Sequence, residues 1–152
     1  MAAGYTVESN GDIALSAATA KTILSVINAS NSLIRIVEFA VSFDGTSGTA
    51  EPITVELCYS TQAGAGTTTS HTITQVRGAP RTVQATAARN YTAEPTTLTV
   101  WKRWLVHPQT GLLVQFPLGR EPECVVTADA LCLRCTAPAA VNAQGYIEFE
   151  EG

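Results

Sequence analysis

The last third of the chain, residues 110–152, most narrows what this sequence can fold into. In TGLLVQFPLGREPECVVTADALCLRCTAPAAVNAQGYIEFEEG, short apolar runs alternate with Gly, Pro and Asp punctuation. Strand-length runs at such short, even spacing predict an all-β sandwich or barrel. The stretch finishes on the strand-like YIEFEE, which leaves little room for an appended domain. The expected product is a compact building block rather than an enzyme with lids.

The same pattern extends upstream. Residues 33–43 place Leu33, Val37, Phe39, Val41 and Phe43 on one face, with Arg35 intruding, and Glu38 and Ser42 on the other. Residues 53–60 set Ile53, Val55, Leu57 and Tyr59 against Thr54, Glu56, Cys58 and Ser60. Period two of this kind marks half-buried strands. Alanines in 13–28 permit a helix, but Thr19, Thr22, Val26 and the flanking Asn-Ser cluster favour strands at about 13–16 and 22–28. Further strands are expected at 71–76, 97–107, 112–118, 124–127, 130–137 and 145–151, about eight to ten in all. The DGTSGTAEP stretch after Phe43 and QAGAGTTTS after Thr61 read as loops. Residues 1–12, small and polar apart from Tyr5, read as an extended arm, and 13–152 as one β-sandwich domain. Residues 78–95 are the least regular, a helical turn or two or a long surface loop of the kind that makes contacts.

Residues 97–107 carry large apolar groups on both faces. Leu98, Val100, Trp104 and Val106 share one with Lys102; Thr99, Trp101, Arg103 and Leu105 share the other. Both faces are therefore expected to meet protein, and Trp101 and Arg103 are favoured anchor types for a subunit contact. A carbohydrate site built from Trp101, Tyr91 and Tyr146 is the alternative.

Composition removes several function classes. Charged residues make up 14% of the 152 residues, against about 25% in ordinary soluble domains. That sparseness fits either a surface covered by partners or a neutral Thr/Ser/Ala-rich exterior. The nine Lys and Arg are scattered and the net charge is −4, so nucleic-acid binding, which needs a basic stripe, is disfavoured. No run has the length of a transmembrane helix, and the N-terminal stretch lacks the features of a secretory signal, so synthesis in the cytosol is expected. There the four cysteines stay thiols by default. Cys132-x-x-Cys135 has the spacing of half a zinc site, but it lies in a strand, where side chains three apart face opposite sides. His71 and His107 sit at strand ends and belong to no ligand spacing. No phosphate-cradling glycine loop and no nucleophile elbow are present. Glu148 and Glu150 alternate with Ile147 and Phe149, as on the outer face of an amphipathic edge strand. No catalytic residue, metal or cofactor is expected.

The order of a small N-terminal arm, alternating strands, a long middle loop, VHPQTGLLVQFPLG (106–119) and GYIEFEE (145–151) resembles the small jelly-roll proteins that decorate the capsids of tailed bacteriophages. The resemblance implies an antiparallel jelly-roll-like β-sandwich without enzymatic activity, made in the host cytoplasm. Such a protein forms homotrimers and sits on the outer capsid surface of the virion, bridging major capsid protein subunits like a cement. It also implies that the arm around Tyr5 and the loop 78–95, with Arg81, Arg89 and Tyr91, reach across capsomers, beside the contact candidates Trp101 and Arg103. The four cysteines depart from what such a building block needs. A receptor- or glycan-binding head of a tail fibre is the alternative reading.

Overall fold

The computed structural model describes residues 2–44, 51–61 and 68–152, so most of both predicted loops after Phe43 and Thr61 lies outside the described residues. Thirteen strands follow: β1 (Ala3–Glu8), β2 (Ile13–Leu15), β3 (Ala20–Ile27), β4 (Ile34–Phe43), β5 (Ile53–Ser60), β6 (Thr69–His71), β7 (Thr74–Arg77), β8 (Thr86–Arg89), β9 (Leu98–Val106), β10 (Leu112–Gln115), β11 (Glu123–Cys124), β12 (Ala130–Thr136) and β13 (Val141–Glu151). They form two antiparallel sheets. The first, sheet A, runs β10-β4-β13-β1-β7, with β11 also on β4 and β2 also on β13; the second, sheet B, runs β6-β8-β3-β12-β5-β9. The protein is a β-sandwich, as the sequence predicts. Among the described strands none pairs with its neighbour in sequence, so the chain keeps crossing between sheets.

Alternation builds the interior. Ile36, Phe39, Val41, Ile147 and Phe149 from sheet A meet Val55, Leu57, Leu131 and Leu133 from sheet B in one core. Each such side chain contributes about 1.5–3 kcal/mol on burial. Phe39 links the layers, packing edge-on against Trp104 with ring centres 5.3 Å apart.

Four sequence expectations change. The strand count rises from about ten to thirteen because short pairings such as β2, β6 and β11 carry little periodic signal. Residues 1–12 are not a free arm: β1 lies between β13 and β7, with Tyr5 1% exposed and stacked on Phe149. The irregular stretch 78–95 contains β8, whose Ala87 and Ala88 are buried against β3. And β13 is a central strand, not an edge, paired along its length with β4 and β1.

Two bulges explain where period two misleads. In β4, Glu38 faces Glu148 and Ile36 faces Phe149, so Val37 is an extra residue. An extra residue reverses the parity of everything beyond it. Ile34 and Ile36 therefore join Phe39 and Val41 in the core, and Arg35 turns outward to Glu123 at 2.8 Å. In β9, Cys58 of β5 faces Val100 and Leu57 faces Lys102, which makes Trp101 the extra residue.

Candidate interaction surface

Strand β9 is one of the two edges of sheet B, opposite β6. Its bulge turns Trp101 onto the face of Tyr59, with ring centres 5.1 Å apart and planes 22° apart. Tyr59 is fixed in turn, donating its hydroxyl to Asp129 Oδ2 at 2.5 Å. Trp101 is 43% exposed and Leu105 is 71% exposed, with Lys102 and Arg103 open between them. A large aromatic clamped on one side and wet on the other has little rotamer entropy left to lose on binding.

Arg103 is anchored from below. Glu56, only 3% exposed, takes Arg103 Nε at 2.8 Å on one carboxylate oxygen and Arg134 Nε at 3.0 Å on the other. Burial pulls the Glu56 carboxyl up, but the hydrogen bonds and charges of Arg134 and Arg103 outweigh it and hold the group below the usual carboxylate range. One carboxylate thus serves two guanidiniums, and the cluster keeps a positive charge.

The rest of sheet B has the same sign. Its strands carry Lys21, Arg89, Lys102, Arg103 and Arg134 against Glu56 alone, a formal +4. The strands of sheet A carry Arg35 and Arg77 against Glu8, Glu38, Glu123, Glu148, Glu150 and Glu151, a formal −4. A net charge of −4 and scattered basic residues conceal this segregation, because it exists only across the two layers.

The outer face of sheet A holds a concavity of about 480 Å³. Cross-strand register sets Leu113, Ala40, Tyr146 and Glu8 in one row across β10, β4, β13 and β1. Leu113 and Tyr146 stand as walls, while Ala40 and Gly145 leave the floor low. Gly145 is required there, since a Cβ would lie 2.6 Å from the Ala40 carbonyl oxygen. Tyr146 donates its hydroxyl to Glu38, which also accepts Gln115 Nε2 at 2.5 Å. That bond to Glu38, with burial, pushes the Tyr146 phenol up to about 12, and the bonds from Tyr146 and Gln115 lower the Glu38 carboxyl. Glu38 therefore remains an anion beside the groove, and Glu8 stands on its rim, hydrogen-bonded to His71 at 3.0 Å.

The six residues singled out from sequence do not form one surface. Tyr5 is in the core and offers no ring to a partner. Tyr91 is also buried, its hydroxyl 2.7 Å from Ser25 Oγ, with burial driving the phenol up to about 12. Arg81 lies on the segment that closes one end of the sandwich, its Nη1 3.4 Å from the Glu151 carbonyl oxygen. Arg89 donates to the Ser9 carbonyl at 2.6 Å. Trp101 and Arg103 both lie exposed on the edge strand β9, but the bulge separates them: Trp101 turns onto Tyr59 and Arg103 onto Glu56. Lys102, Leu105 and the Tyr146 groove were not chosen from sequence, although the register of β13 against β4 follows once β13 is recognised as central.

The cysteines divide as strand parity requires. Cys135 faces the main core, whereas Cys132 packs with Cys58 and Ala130 under Ile27, Leu98 and Val100 on the other side of sheet B. Burial raises all four thiols, Cys58 to about 12, which makes them unreactive. Among the described residues no three His, Cys, Asp or Glu side chains converge as a metal site would need, and no helix is long and apolar enough to cross a membrane.

Compared with known proteins, the chain matches no family model, no curated protein and no solved structure.

Proposed function

We propose that this chain is a structural protein of a tailed-bacteriophage virion, a homotrimer that binds the outside of the capsid and stabilises the shell by bridging major capsid protein subunits. The observation that carries this reading is the β9 edge, where Trp101 is seated on Tyr59 and the same strand exposes Lys102, Arg103 and Leu105. Trp and Arg are residue types that anchor protein–protein contacts. The mechanism is linkage. A ligand that prefers the assembled shell stabilises it, and copies joined to one another multiply the gain by attaching at several points. With residues 1–12 held in sheet A, the bridging role passes from the arm to this edge.

The alternative, a receptor- or glycan-binding head, needs aromatic faces beside polar groups. Tyr91 is buried, and Trp101 has cations rather than hydroxyl or amide groups beside it in its own strand. The test is co-sedimentation of the purified chain with emptied capsids from the phage whose genome encodes it. Saturable binding and a higher capsid disruption temperature are expected, with Trp101→Ala weakening binding by about tenfold or more. A chain that leaves both the shells and their disruption temperature unchanged would sink the reading, and clear hits on a glycan array would favour the alternative.

A further inference from the structure

The two faces described above carry opposite formal charge on their strands. At the β9 edge Trp101, stacked on Tyr59, and Lys102 are exposed. On sheet A, a groove of about 480 Å³ is lined by Ala40, Leu113, Tyr146 and Glu8, with Glu38 bonded to the Tyr146 hydroxyl. We propose that the Trp101–Lys102 corner of one copy docks in the Tyr146 groove of the next, so that copies of this chain associate head to tail.

Charge decides between this arrangement and its rivals. A two-fold contact through β9 would bring two cationic strands together, and one through sheet A would oppose two acidic faces. Like charges facing each other across an interface are costly, whereas opposite charges fix register and speed encounter. With a net positive charge on the strands of one sheet and, buried Glu151 left aside, a net negative charge on those of the other, the head-to-tail contact pairs opposite signs. Heterologous contacts of this kind close into rings when the rotation between copies permits.

Chemistry on both sides suits the contact. Trp101 keeps one face on Tyr59, so the other is free to meet the Tyr146 and Leu113 walls. Lys102 is exposed and makes no ion pair among the described residues, and Glu8 on the groove rim has its side chain 56% exposed. Direct strand addition at β9 is a poorer use of this edge, because a bulge and a lysine both discourage pairing. The inference takes from the proposed function only that copies associate, not what they coat. A chain that bound shells as a monomer would refute the contact and leave the capsid reading standing.

The test is sedimentation velocity of the full chain over a concentration series at low and high salt, with circular dichroism checking each variant's fold. The wild type is expected to self-associate, more weakly at high salt. Lys102→Glu and Glu8→Lys should each weaken association by about tenfold or more. Their combination should recover most of the loss, since every contact then pairs the same two charges reversed. Ala40→Leu, which fills the groove floor without touching charge, should weaken association comparably. A wild type that stays monomeric would overturn the proposal, and so would single reversals without effect or a double reversal no better than either single. If Glu8→Lys proves unfolded, Lys102→Glu and Ala40→Leu alone decide, and association unchanged in both would also overturn it.

Discussion

Two buried carboxylates hold this sandwich together in opposite ways. Glu151 ends the central strand β13 and is wholly inaccessible to solvent. It accepts the backbone N–H of Gln84 at 2.9 Å and that of Ala85 at 2.7 Å, both on Oε2. Those two groups belong to the segment that crosses from β7 in one sheet to β8 in the other. Glu56, on the outward face of β5, bonds only side chains, the guanidiniums of Arg103 and Arg134. One carboxylate ties down main chain that has no ladder partner; the other arrays charge on a strand already held by its ladder. The consequence of losing each should differ accordingly.

Glu151→Ala is the most severe way to break that comparison. It leaves the buried N–H of Ala85 and the part-buried N–H of Gln84 without their acceptor, a penalty of about 1–3 kcal/mol for a buried group. We expect a loss of about 3 kcal/mol in urea unfolding, with amide exchange at Gln84 and Ala85 accelerating beyond the global change. Exchange at those amides no faster than elsewhere would show that the crossing segment does not depend on the carboxylate.

Glu56→Gln should cost less, about 2 kcal/mol, because the arginines regain water once released. Its pH dependence sharpens the contrast. The folded Glu56 carboxyl lies below its ordinary value, and an unfolded glutamate titrates near about 4.3. The stabilisation is therefore complete above that value and is lost as pH falls through the folded pKa. The gap between wild type and Glu56→Gln should be constant near neutrality and close in acid. A gap unchanged in acid would mean that the ionised carboxylate contributes nothing to stability.

Glu151 also shows what the sequence conveyed and what it withheld. Regular strands could be read directly: in β5 the inward Ile53, Val55 and Leu57 follow their alternation, and in β12 Cys132 and Cys135 fall on opposite sides as their spacing demands. The terminal YIEFEE was likewise legible as a strand, with Glu148 and Glu150 facing out. Its central position was not, because both its partners are remote in sequence: Glu151 lies opposite Ala3 on one side and Ile34 on the other. Tyr5 and Tyr91 resembled contact residues only because the strands that bury them are assembled non-locally. The bulges at Val37 and Trp101 were hidden for a related reason, since an extra residue is defined only against a partner strand. Without them Arg35 intrudes on an apolar face and Trp101 cannot meet Tyr59. Charge segregation between the sheets was beyond reach for the same reason, as it needs the strand-to-sheet assignment first.

A second pair of carboxylates carries the comparison to the open surface, where the effect should be smallest. Glu150 and Glu148 share Arg77, at 2.7 and 3.5 Å, and the guanidinium reaches them by lying across Gly4 of β1. A Cβ at residue 4 would stand 2.6 Å from Arg77 Cγ and Nε, so Gly4→Ala must displace the arginine. The displaced ion pairs are half-exposed and contribute about 0.2–1 kcal/mol. Against that, alanine is favoured over glycine within a strand by about 0.5–1 kcal/mol through the unfolded chain's entropy. The two nearly cancel, so Gly4→Ala alone should change unfolding free energy by less than about 0.5 kcal/mol. In an Arg77→Ala background the arginine no longer opposes it, and the same substitution should stabilise by about 0.5–1 kcal/mol. A double-mutant cycle in urea isolates that difference. If Gly4→Ala had the same effect in both backgrounds, the glycine would not be serving as the passage through which Arg77 reaches the acidic pair.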